Sequence, residues 1–231
     1  MPGHGFAMMQ TNLWVDAIYT LIIILASGII YTKTREIYAL TGHKGIKYFR
    51  NVFLFFAISY LAHFFLLSPR IWRTVEFANL IFPTILFITV YASTAAVLYL
   101  LYSAMWKKTH KGFFAKSWLL HVIALVVAIL TILFSVPLLF VILQAIIFIY
   151  AAIMSYLNHR KAKTKKGFSK VYYIYILLFV FWILNTFATA LPPFFLQIKL
   201  FVYAISIILF IIILTRVVKR LSVKSNDKKK G

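Results

Sequence analysis

Apolar residues run through this chain in long, nearly unbroken stretches; they do not alternate with polar ones. Seven stretches stand out, at about Leu13–Tyr31, Phe49–Leu67, Asn79–Trp106, Ser117–Phe134, Pro137–Leu157, Val171–Ala190 and Phe194–Val218. Each approaches or exceeds the ~20 residues that an α-helix needs to cross ~30 Å of hydrocarbon. A membrane barrel would need ~10-residue segments of alternating polarity, and these runs are continuous. The pattern predicts an all-α fold, a polytopic bundle of seven transmembrane helices over residues 13–218. A short extracytoplasmic tail (1–12) precedes it, and a basic, disordered cytoplasmic tail (219–231) follows. The breaks "SP" at 68–69, "SVP" at 135–137 and "LPP" at 191–193 fall between spans, where a proline without an N–H does no harm. Pro83 lies inside the third span and predicts a kink there.

Composition supports a bilayer setting. Hydrophobic residues make up 63% of the 231 and charged residues 13%, against roughly a quarter charged in a soluble domain. With no cysteine, disulfides, thiolate metal sites and a cysteine nucleophile are excluded. The opening "MPGHGFAMMQ" has neither a basic n-region nor a small-residue cleavage site, so it reads as a retained tail before an uncleaved first helix.

Charge gives the direction of the spans. The net charge of +21 needs no nucleic-acid partner, because loops beside transmembrane helices collect Lys and Arg. A basic, glycine-broken phrase occurs three times, as "HKGIKYFR" (43–50), "HKGFFAK" (110–116) and "KKGFSK" (165–170). The expected cytoplasmic face carries Lys44, Lys47, Arg50, Lys107, Lys108, Lys111, Arg160, Lys161, Lys165, Lys166, Lys219 and Arg220, facing lipid or a partner. Of the 25 Lys and Arg, only Arg70, Arg73 and Lys199 fall outside the three phrase-bearing loops and the C-terminal segment from Arg216 onward. The positive-inside rule then places the N-terminus outside and the C-terminus in the cytoplasm. Each phrase reads as a hairpin turn in which Gly stops one helix and the cations stay at anionic headgroups.

Polar residues inside the spans are the candidates for function, because ionisable groups in lipid are costly. A rise of ~1.5 Å per residue puts His63, Gln144, Asn185 and Lys199 in one layer, ~20–22 Å above the cytoplasmic boundary. Asp16, Glu76 and Asn79 lie just above it. Helical spacing extends the layer, since Asp16, Thr20 and Ser27 share a face, as do Lys199, Tyr203 and Ser206. The expectation is an outward-opening polar pocket; the alternative is a set of structural hydrogen bonds between helices, with Lys199 snorkelling to the headgroups.

Other chemistries fit less well. Lys199 is near the outer end of the last span, with no carboxylate on the third or seventh helix at its depth, which argues against a retinal Schiff base. His63 and His121 differ by ~15 Å in depth and cannot share a haem. There is no GxSxG, no HExxH and no paired carboxylate in the bilayer core, so no enzyme and no cofactor are expected. After loss of Met1, Pro2-Gly3-His4 offers an amine, two backbone nitrogens and an imidazole, a square-planar set that suits Cu(II) or Ni(II) through His4.

The stretch "HKGIKYFRNVFLFFAISYLAHFF" resembles the loop and second helix of small prokaryotic seven-helix membrane proteins. It is also similar to the N-terminal seven-helix sensor regions of some histidine kinases. The resemblance covers about a tenth of the chain, and only thirteen residues follow Val218. It implies a sensor in the cell membrane that signals through a separate partner. A small-solute or proton-coupled transporter and a structural subunit of a membrane complex are the other readings.

Overall fold

The computed structural model describes residues 3–66, 78–109, 118–134, 137–161, 171–190 and 195–229. The described residues form seven α-helices and no strand: α1 Gly3–Thr41, α2 Lys44–Leu66, α3 Ala78–Thr109, α4 Trp118–Phe134, α5 Pro137–Lys161, α6 Val171–Ala190 and α7 Leu196–Lys229. Four of them, α1, α2, α3 and α7, are long and apolar enough to cross a membrane. Pro137 is the first helical residue of α5, where its missing N–H costs nothing. Pro83 sits within α3 and leaves the Asn79 carbonyl without its helical donor.

Helix ends depart furthest from the apolar stretches in three places. α1 begins at Gly3, so the residues expected as a tail are largely helical. α7 continues to Lys229 through the segment expected to be disordered; no Pro or Gly interrupts it before Gly231. The third departure is the first hairpin. α1 overruns its apolar stretch through Thr32–Thr41 and stops at Gly42, whose φ of 62° is the left-handed conformation that ends helices. The Gly42 N–H bonds to the Tyr38 carbonyl at 2.8 Å. Gly45, the glycine of the basic phrase, therefore does not stop a helix. It lies buried in the first turn of α2, where its carbonyl accepts a 2.9 Å bond from Ser103 Oγ of α3. The other two phrases lie outside the described residues.

Packing follows side-chain size. α3 is buried almost all round from Ala92 to Leu100, and Ala92, Ala95 and Ala96 are fully buried. Small residues at such positions let neighbouring backbones approach closely. α3 accordingly packs on α2, α4 and α5, while α7 bridges α1 and α6. α4 rests chiefly on α3, with Leu125, Ile129 and Leu133 turned outward. Aromatic rings fill the interior between α2, α6 and α7: Phe181 lies 4.9 Å from Phe210, Phe53 lies 6.0 Å from Phe210, and Phe56 lies 6.3 Å from Phe181. Because α1 and α7 lie side by side and α6 flanks α7, polar residues on three separate spans come together above these rings.

Candidate functional site

The site begins with an ion pair. Asp16 is 7% exposed on α1 and faces Lys199 in the first turn of α7. The Lys199 ammonium lies 2.8 Å from Asp16 Oδ1 and 3.0 Å from Oδ2. Tyr203, one turn along α7, donates its hydroxyl to the same Oδ1 at 2.8 Å. Lys199 turns into the bundle: among the described residues it contacts the Asp16 carboxylate and the Tyr203 ring, the latter at 5.4 Å. Two donors therefore make three contacts with one carboxylate, as a buried charge requires.

From the pair a polar column continues inward. The Tyr203 ring stacks on Tyr19 of α1 at 3.9 Å and 2°, and Tyr60 of α2 meets Tyr19 edge-on at 6.1 Å. The Tyr19 hydroxyl donates to Asn185 Oδ1 on α6. The Asn185 amide in turn donates to the Phe181 carbonyl at 2.7 Å and to Ser206 Oγ at 3.5 Å. His63 of α2 lies within the electrostatic reach of Asp16 and Lys199. Its Nε2 is buried and has no hydrogen-bond partner among the described residues.

Gln144 belongs to a different group. It is 2% exposed on α5, donates to Ser93 Oγ of α3 at 2.8 Å and accepts from Trp182 Nε1 of α6 at 2.8 Å. Both ends of its amide are used between helices, which is the structural alternative to lining a pocket. Asn79 lies in the first turn of α3 with its side chain outside the described residues; Glu76 lies outside them altogether. His4 is in the first turn of α1, again without a described side chain. Among the described residues no three His, Asp or Glu side chains are grouped to hold a metal.

On the basic face, Arg50 turns toward the bundle. Its guanidinium lies 5.2 Å from the Tyr31 ring and 5.8 Å from the Tyr38 ring, both on α1. A planar, weakly hydrated cation is suited to such stacking. Lys47 and Lys219 are exposed. Lys111, Lys165 and Lys166 lie outside the described residues, as do the side chains of Lys107, Lys108, Arg160, Lys161 and Arg220.

Sequence reasoning placed Tyr203 on the face of Lys199 and weighed His121 only as a haem ligand; it did not single out Tyr19, Tyr60, Tyr91 or Tyr99. His121 of α4 is held at both ring nitrogens, by Tyr91 (2.7 Å) and Tyr99 (2.8 Å), two turns apart on α3. A hollow of about 240 Å³ beside it is lined by Phe87, Tyr91, His121, Val122 and Leu125. The eight-residue Tyr91–Tyr99 spacing is a readable helical repeat. That one histidine bridges it depends on which helices adjoin, and sequence spacing does not carry that information.

The chain is 32% identical over 214 residues to an uncharacterized protein of Archaeoglobus fulgidus, an alignment that covers 89% of this chain and 92% of that one. No protein-family model matches the chain. No solved structure matches it.

Proposed function

The chain belongs to one family with that archaeal protein, and on this footing we propose that it is a non-enzymatic, seven-span sensor of the cell membrane. In this reading the N-terminus is outside, the C-terminus is cytoplasmic, and the Asp16–Lys199–Tyr203 cluster is the responsive site near the outer surface. The four long apolar helices support a membrane location. The lengths of α5 and α6, 25 and 20 residues, allow them to cross as well. α4 has 17 residues and reaches ~25 Å, enough with slight local thinning of the bilayer.

One observation carries the functional part, the ion pair between the first and last helices. Two charges taken out of water rarely add net stability compared with apolar residues of the same shape. Ionisable groups in a membrane interior accordingly mark function. The pair also sits where a change reaches the whole bundle, because α1 and α7 are held together across it. Below it, Phe53, Phe56, Phe181 and Phe210 fill the interior, which favours a site reached from one side over a conduit. The signal then passes to a separate partner at the basic face, beside anionic headgroups. The resemblance of the first basic loop and second helix to sensor regions of histidine kinases points the same way.

The test is chemical cross-linking in native membranes followed by purification of the full chain. The sensor reading expects one recurring partner held at the cytoplasmic loops. Solute accumulation by the purified protein alone in sealed vesicles contradicts it and favours a transporter.

A further inference from the structure

The ion pair has no net charge, and this restricts what can open it. A cation that displaced Lys199 from Asp16 would leave the ammonium bare in a buried site. An anion drawn to Lys199 would strand the Asp16 carboxylate in the same way. Leaving one half of a buried pair uncompensated is strongly unfavourable. A ligand that brings both charges avoids both penalties, since each protein charge is handed from one partner to another.

We propose that the cluster is a binding site for a small zwitterion of the α-amino-acid class, which inserts between Asp16 and Lys199. The ligand ammonium takes the place now held by Lys199, against both oxygens of Asp16 and beside the Tyr203 ring. That ring already has a cation at 5.4 Å, and the stacked Tyr19 backs it at 3.9 Å. The ligand carboxylate takes Lys199 and, as a second donor, His63 Nε2 in its protonated tautomer. This assigns a use to a nitrogen that is buried and has no partner among the described residues. Buried polar atoms are otherwise nearly always paired. The site is filled by its own side chains in the closed state, so binding swaps partners instead of filling a void, and it loosens α1 from α7.

The inference rests on the reading of this cluster as the responsive site, and the test separates the two. Thermal unfolding of the full chain in detergent micelles is followed by tryptophan fluorescence against each of the twenty standard α-amino acids. Methylammonium and acetate, alone and mixed, serve as the two halves of the ligand. At least one amino acid should raise the unfolding midpoint saturably, as a ligand that binds only the folded state does. Neither half-ligand should do so. His63→Ala should fold normally and weaken the apparent Kd about tenfold, the loss expected for one hydrogen bond to a charged group. Asp16→Asn/Lys199→Met, which removes both charges together and strands neither, should stay folded and lose the response. A midpoint that no amino acid moves overturns the proposal. So does an equal shift with acetate or methylammonium, or a double variant that still responds. If an amino acid binds and vesicles accumulate it, the site stands and the sensor reading falls. If none binds while the cytoplasmic partner still cross-links, the site falls and the sensor reading stands.

Discussion

Asp16 and Lys199 are 183 residues apart in sequence and 2.8 Å apart in space. Removing either one alone leaves a charge in a poorly solvated place, whereas removing both leaves none. Lys199→Met should therefore destabilise the protein by about 3–5 kcal/mol, and Asp16→Asn added to it should recover part of that loss. In a double-mutant cycle by denaturant unfolding in micelles, a coupling of about 1–3 kcal/mol is expected; additive losses would mean that the pair is not formed. Gln144 permits a sharper comparison. Gln144→Leu keeps the volume but leaves Ser93 Oγ and Trp182 Nε1 without their partner, at a cost of about 1–3 kcal/mol. Trp182→Phe added to it should lose less than the two single losses combined, because the stranded indole donor is then gone. At this scale a fixed rise per residue converts sequence position into an expected height, and spacing supplies nothing more. Partnership was not legible in the sequence. Gln144, assigned to the same layer as Lys199, turns instead to α3 and α6, since which helix faces which is decided by packing.

Helix bodies were plain in the hydrophobic pattern, and helix ends were not. Each of the seven apolar stretches is occupied by one helix. Apolarity, however, marks where lipid would end, while the backbone continues until something stops it. α1 continues through Thr32–Thr41, with an exposed Lys33–Glu36 pair at 3.2 Å on the way, and ends only where a glycine adopts positive φ. That makes two glycines of α1 and its hairpin a matched test. A Cβ at Gly28 meets nothing within 4 Å in mid-helix, so Gly28→Ala should stabilise by about 0.5–1 kcal/mol. A Cβ at Gly42 also meets nothing, but its φ of 62° disfavours an L side chain, so Gly42→Ala should destabilise by about 1 kcal/mol. Thermal midpoints of the two variants that move in the same direction would contradict this account of the turn.

At the scale of the whole molecule, α7 rests on both α1 and α6, so the bundle brings its two ends of sequence together at the polar cluster. The proposed sidedness places that cluster toward the outside and the Lys and Arg clusters toward the cytoplasm. Charge arithmetic carries this reading, and a count of spans underlies it: only an odd number puts the two termini on opposite sides. The most direct measurement uses the absence of cysteine from the chain. Single replacements Gln10→Cys and Lys230→Cys, near the two ends of the sequence, are exposed in intact cells to a membrane-impermeant thiol reagent. Seven spans with the N-terminus outside require Gln10→Cys to be labelled at once and Lys230→Cys only after the membrane is opened. Labelling of both from the same side would make the number of spans even and would contradict the account at its base.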